Sequence, residues 1–326
     1  MKKIFITGGA GYVGCPLTTY LLNKGHCVTV LDLMIYGENL LPPKKNLKVI
    51  KGDIRDQDLL KDLLPGHDVL IHLACISNDP SFELNPDLGK SINLDCFEPL
   101  VDISIKSKIK KFIFASSSSV YGIKKINNVD ENCNLEPLTD YSLFKAKCED
   151  ILKTHSSKNF CTSILRPATV CGYSVRQRLD VVVNILTNLA FHKRKISVFG
   201  GNQLRPNIHI KDMIRAYDLI INTDDKIVNN EIFNIGFENK TVSKIAENVK
   251  TIIGEDVKLE FVKSDDNRSY HISSNKLQKK LNFNFKYSIS DAIKDLKFAF
   301  EKKLLPNSLH DSKYFNIKRM NEIHLK

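Results

Sequence analysis

The chain contains no tryptophan, no Cys-x-x-Cys pair and no histidine cluster at zinc-ligand spacing. A structural metal site or a redox dithiol is therefore not expected. No apolar run approaches the roughly 18 uninterrupted residues that a membrane-spanning helix requires, so no membrane partner is expected. The apolar start, Ile4-Phe5-Ile6, ends at Thr7 and Gly8, too short for the core of a secretory leader. The sequence shows no internal repeats and no low-complexity linker. Its eight cysteines (Cys15, Cys27, Cys75, Cys96, Cys133, Cys148, Cys161 and Cys171) sit mostly in apolar runs, where a free thiol serves as a small hydrophobe. This usage points to a reducing, cytoplasmic setting. Acidic residues are in deficit: 37 Asp and Glu stand against 48 Lys and Arg, a net charge of +11. The lysines are scattered and lack interleaved aromatics, which favours anionic small ligands over nucleic acid.

What is present is an ordinary globular composition over 326 residues, 42% hydrophobic and 26% charged. That length predicts one large domain or two intimate ones. In the first half, short apolar runs at 2–7, 27–32, 47–51, 69–73, 112–116 and 162–165 alternate with helical patterns at 12–23, 56–64, about 87–106 and 141–155. Such alternation predicts an α/β fold, a Rossmann-type doubly wound parallel sheet. Ligands then bind along the edge formed by the strand C-termini. After Pro167 the pattern loosens, with helices expected at 179–192, 211–222, 242–253 and 289–302 and strands at 196–199 and 231–235. We read residues 1–168 as a dinucleotide-binding domain to which late strands near 207–236 return. Residues 169–326 form mainly a smaller α/β substrate lobe. The tail from Pro306 onward is polar and carries no pattern.

The first strand runs into Thr7-Gly8-Gly9-Ala10-Gly11-Tyr12-Val13-Gly14 and then a helix. Gly9, Gly11 and Gly14 fit Gly-x-Gly-x-x-Gly; Gly8, Gly11 and Gly14 fit Gly-x-x-Gly-x-x-Gly. Either frame gives a tight turn whose backbone N–H groups approach a pyrophosphate at a helix N-terminus. Asp32, about 20 residues on, ends the second strand where a carboxylate takes the adenosine ribose hydroxyls. It repels a 2′-phosphate, and no Lys or Arg follows it directly, which favours NAD over NADP. Asp53, before Ile54, is a candidate for the adenine amino group; a helix cap is the alternative.

Tyr141 and Lys145 lie one turn apart on a predicted helix. An ammonium beside a phenol stabilises the phenolate, which can take a proton from a sugar hydroxyl as the carbon loses hydride. The preceding run Ser116-Ser117-Ser118-Ser119-Val120-Tyr121-Gly122 ends a strand, where a hydroxyl can bond the same oxygen.

With these motifs in order, joined by His72-Leu73-Ala74 and Arg205-Pro206-Asn207, the chain resembles the extended short-chain dehydrogenases/reductases of the NAD-dependent epimerase/dehydratase group. The resemblance reaches to about residue 302. It implies Tyr141 as acid/base, Lys145 as holder of the nicotinamide ribose, and Ser117 as the catalytic hydroxyl. It also implies cofactor contacts from Gly8, Gly11, Tyr12, Val13, Gly14, Asp32, Asp53, Ile54, Leu73 and Ala74, and from Tyr141 and Lys145 themselves. Arg205, and with it Arg268, would grip the diphosphate of a nucleotide-sugar through their planar forks. The chain departs from the family pattern in two places. The 4,6-dehydratases carry Asp-Glu where Ser118-Ser119 stand, which argues against dehydration. In Arg166-Pro167-Ala168-Thr169-Val170-Cys171-Gly172-Tyr173, Thr169 replaces the usual Asn, so that wall of the substrate site is unusual. The loop 77–83 offers Asn78, Asp79 and Ser81 to sugar hydroxyls, with a plain surface loop as the equal alternative.

The resulting expectation is an NAD-dependent enzyme acting at C4 of a nucleotide-diphosphate hexose or heptose, first of all a 4-epimerase. A net dehydrogenase or ketoreductase needs the same residues. A cofactor-sensing or nucleic-acid-binding relative without chemistry would not need the Tyr141/Lys145 pair. The resemblance further implies a role in polysaccharide biosynthesis and a homodimer formed through the helices at 87–106 and 141–155.

Overall fold

A computed structural model describes residues 1–77, 79–126, 128–263 and 269–325. Its strands are β1 (Lys3–Thr7), β2 (Cys27–Asp32), β3 (Leu47–Lys51), β4 (Val69–His72), β5 (Lys111–Ala115), β6 (Cys161–Pro167), β7 (Thr169–Cys171), β8 (Lys195–Phe199), β9 (Leu204–His209), β10 (Glu231–Ile235), β11 (Glu238–Thr241) and β12 (Lys258–Val262). Seven of them make one sheet in the order β10-β6-β5-β4-β1-β2-β3. Every pairing in it is parallel.

The central strands are apolar on both faces because both are covered. In β1, Ile4 and Ile6 meet Leu17 and Leu21 of the helix Gly14–Asn23 and Ile214 and Tyr217 of the helix Ile210–Asn222. Phe5, on the other face, joins Phe97 and Leu100 of the helix Phe97–Lys106. The outermost strand β3 is half exposed and carries Lys48 and Lys51, which protect an open sheet edge from further pairing.

Several elements differ from the sequence reading. Of the late segments, only Glu231–Ile235 joins the main sheet; Leu204–His209 lies between β7 and β11 in a separate three-stranded sheet. The helix expected over 87–106 is interrupted. Pro86–Lys90 runs into a π-turn at Ser91–Asp95 before Phe97–Lys106 begins. The wide turn holds Asn93 against the loop after β4, where its side chain accepts from Ile76 N (2.8 Å) and donates to Ile76 O (2.9 Å). The C-terminal tail forms a helix, Asn316–Ile323, whose Arg319 Nε donates to Ile35 O at 2.5 Å. Among the described residues no helix is long and apolar enough to cross a membrane.

Beneath the C-terminal edge of the sheet runs a buried polar chain. Glu149, on the helix Asp140–Thr154, accepts from Arg166 Nε (2.9 Å), Arg166 Nη2 (2.5 Å) and Ser116 Oγ (2.5 Å). Arg166 Nη1 donates to Tyr121 Oη (2.7 Å), which donates to Asn234 Oδ1 (2.7 Å). Removing one partner of a buried pair strands the other's charge. Arg166→Ala is therefore expected to cost about 3–5 kcal/mol of stability, read from the urea unfolding midpoint. A loss below about 1 kcal/mol, the worth of an exposed pair, would show that the pair does not hold this edge together.

Candidate active site

The strand C-termini open into a cleft of about 510 Å³. Gly8, Gly11, Tyr12, Val13, Gly14, Asp32, Asp53, Ile54, Leu73, Ala74, Ser117, Tyr141, Lys145, Thr169 and Arg205 all line it. Asn78 and Arg268 lie outside the described residues. Ser81 is buried and does not border the cleft.

The turn after β1 separates the two glycine frames. A Cβ on Gly8 would come within 2.6 Å of Ala74 N, and one on Gly14 within 2.3 Å of Gly8 O. Gly9 instead packs on Val30 and is absent from the cleft wall, so the spacing that faces the cleft is Gly8, Gly11, Gly14. The helix that follows has no acid in its first turn, leaving its positive end open to an anion. Asp32 accepts from Ala10 N (2.9 Å) and Met34 N (2.8 Å), which tie its carboxylate to the turn. Burial raises its pKa from the ordinary carboxylate value, and those N–H groups with the Arg176 charge hold that rise down. Asp53 is not a helix cap: it accepts from Arg55 N (2.8 Å) and Arg55 Nη2 (2.6 Å), and Asp56 caps the next helix through Leu59 N (3.0 Å). These residues fit a dinucleotide: a glycine cradle, a helix N-terminus and a fixed carboxylate at the end of β2.

At the other end of the cleft, Thr139 and Ser142 form a capping box that sets the first turn of the helix Asp140–Thr154, where Tyr141 sits. One turn on, buried Lys145 donates from Nζ to Ala115 O (2.7 Å). The ammonium lies 4.8 Å from the Phe114 ring centroid and 5.9 Å from that of Tyr141. Ser117 Oγ accepts from Ser119 N (3.2 Å) and Ser119 Oγ (2.9 Å), leaving its own proton to donate. Ser118 and Ser119 are neutral.

Sequence reasoning missed Tyr36, Ser77, Arg176, Arg178, Asp180, Tyr270 and Leu325, which also line the cleft. A usable signal existed. Only nine of the 48 basic residues are arginine, and two of those nine stand together in Arg176-Gln177-Arg178. Among the described residues, no three His, Cys, Asp or Glu side chains converge on a metal-sized site.

The sequence signature of the NAD dependent epimerase/dehydratase family matches residues 4–236. The chain belongs to that family. NAD is the family's cofactor. An uncharacterized UDP-glucose epimerase of Bacillus subtilis, YtcB, is 31% identical over 275 residues, 79% of this chain and 84% of that protein. A dTDP-D-glucose 4,6-dehydratase of Dictyostelium discoideum is 29% identical across 72% of this chain, which spans only 58% of that longer protein. Among solved structures, the UDP-glucose 4-epimerase of Thermotoga maritima with UDP-glucose superposes with a TM-score of 0.84 at 26% identity, over 93% of this chain and 99% of that one. The family therefore sets the class of enzyme, while these relatives divide between epimerases and dehydratases.

His72, just before Leu73, is bonded through Nδ1 to Thr7 Oγ1 (2.7 Å) and stacks on Phe114. Burial, with the Lys145 charge adding to it, pushes its pKa down to about 3 from the ordinary 6.5. The unfolded chain thus binds the extra proton between these values, so stability is present above about pH 6.5 and is lost as pH falls toward about 3. His72→Gln is expected to flatten that slope in urea midpoints measured across the window. An unchanged slope would remove His72 as its source.

Proposed function

We propose that the protein is a nucleotide-sugar 4-epimerase: it removes hydride from C4 of a nucleotide-diphosphate hexose or heptose and returns it to the opposite face. The observation that carries this reading is the meeting of Ser117, Tyr141 and Lys145 in the same cleft as the Gly-rich turn. NAD, when bound, supplies the hydride acceptor and donor. Tyr141 Oη takes the proton from the sugar O4 and gives it back. Lys145, fixed by Ala115 O at 2.7 Å, favours the phenolate and holds the nicotinamide ribose. The unspent proton of Ser117 is donated to the same sugar oxygen. Gly8, Gly11, Tyr12, Val13 and Gly14 hold the cofactor's phosphates, Asp32 its ribose, and Asp53 with Ile54 its adenine; Leu73 and Ala74 complete that wall. On the substrate side, we assign Arg205 and Arg268 to the diphosphate and Asn78 and Thr169 to the sugar.

Support for epimerisation over dehydration comes from the neutral pair Ser118-Ser119, because eliminating water needs an acid and a base at that wall. The cleft's nearby acid, Asp180, is already engaged: Oδ1 accepts from Arg178 Nε (2.6 Å) and Oδ2 from Asn316 N (2.9 Å). A homodimer belongs to this reading. Ile105 and Leu143 are exposed on the helices Phe97–Lys106 and Asp140–Thr154, which a partner copy would cover.

The test offers purified protein UDP-, GDP-, dTDP- and CDP-sugars without added NAD and follows the sugar by NMR. A stereoisomer formed without net NADH is expected, and Tyr141→Phe should lower kcat at least about 100-fold while leaving bound NAD unchanged. A 4-keto-6-deoxy product, or a Tyr141→Phe variant as fast as the parent, would overturn the assignment.

A further inference from the structure

The segment that follows β7 is stapled to the Gly-rich turn. Tyr12 Oη donates to Gly172 O (2.7 Å), and Ser174 Oγ donates to Tyr12 O (2.9 Å). This carries Arg176 into the cleft wall, where it is only 4% exposed. Its guanidinium carbon lies 3.5 Å from the Tyr36 ring centroid, and Nη2 donates to Asn316 Oδ1 (2.7 Å). Its Nε has no hydrogen-bond partner among the described residues. None of these contacts is with a carboxylate. Asp180 is bound to Arg178 instead (2.6 Å), and Asp32 to backbone N–H groups. The second arginine is similar in part: Arg178 Nη1 donates to Ser77 Oγ (3.2 Å), and Arg178 Nη2 is buried without a partner.

No carboxylate bonds the Arg176 guanidinium, although Asp32 and Asp180 lie within range of its charge, and a buried cation paired this loosely is stabilised by a ligand that brings negative charge of its own. The fork of an arginine matches two phosphate oxygens, which one amide or hydroxyl does not. We infer that Arg176, aided by Arg178, is a ligand for the pyrophosphate of the dinucleotide, acting together with the backbone of the Gly-rich turn. The cofactor rather than the sugar nucleotide is favoured by the neighbours: Tyr12 and Tyr36 belong to the segments after β1 and β2, whereas Arg205 stands on β9. Asn316 holds the guanidinium in place. Its Oδ1 also accepts from Tyr36 Oη (3.0 Å), and its Nδ2 donates to Ser77 Oγ (3.0 Å). The C-terminal tail is thus part of the cofactor wall, and Leu325 lines the cleft beside it.

The inference rests on NAD being the cofactor, and the test separates the two. Calorimetric titration of the full chain, freed of nucleotide, would use NAD, ADP-ribose, adenosine and UDP as ligands. Arg176→Gln is expected to weaken NAD and ADP-ribose by about 10- to 100-fold while leaving adenosine and UDP within about twofold. Arg176→Lys, which keeps the charge but not the fork, should lie between, and it carries the test if the Gln variant does not fold. Weakened UDP with unchanged ADP-ribose would assign the arginine to the substrate. Equal weakening of adenosine would reduce it to packing, and no change in any ligand would remove it from the site; each of these overturns the inference. Failure of the unaltered protein to bind NAD would instead overturn the cofactor reading beneath it.

Discussion

The ion pair between Glu149 and Arg166 fixes the geometry on which the site depends. Arg166 comes from β6, between β5 and the edge strand β10, and Glu149 from the helix that bears Tyr141 and Lys145. Tyr141, Lys145 and Glu149 recur every four residues, so they share one helix face. The bidentate contact at the far end of that face docks the helix against β5 and β6, and the Lys145 bond to Ala115 O docks its near end. Proton transfer is sensitive to displacements of about 1 Å, so a helix anchored at two buried points suits the acid/base role proposed for Tyr141 on its first turn. The pair is expensive to bury and stays because all its oxygens and nitrogens are used, by Ser116 and Tyr121 as well as by each other.

The parallel sheet supplies the rest of the design. Every crossover returns the chain so that Gly8, Asp32, Asp53, Leu73, Ser117 and Thr169 emerge at the same edge. The sheet order reverses between β1 and β4, and the Gly-rich turn and the Leu73–Ala74 segment flank that point. The Gly-rich turn and Asp32 therefore border the same cleft as Ser117, Tyr141 and Lys145. The second sheet and the tail enclose it from outside, through Arg205 and Tyr270 on one part and Asn316 and Leu325 on another.

Much of this was legible in the sequence because it is encoded by short spacings. The Gly-rich turn, Asp32 and the Tyr141/Lys145 pair each occupy a few residues at the end of a strand or on one helix turn. The choice between the glycine frames was not legible, since it turns on the distant contact of Gly9 with Val30. Arg176 and Asn316 escaped for the same reason. They are 140 positions apart, and only folding shows that each completes the other. The π-turn at Ser91–Asp95 leaves no local mark, because it answers to the backbone of Ile76 and not to its own propensity. Strand β9 read as a late member of the main sheet because its apolar pattern does not say which neighbour it pairs with.

The measurement that bears most directly on the central claim uses a nucleotide-sugar labelled with deuterium at C4, turned over without added cofactor. The account predicts an inverted C4 centre that keeps its deuterium, since the hydride leaves and returns within one cleft while only the hydroxyl proton passes through Tyr141. An inverted product that has lost the label to solvent would mean proton abstraction at carbon, and would contradict it.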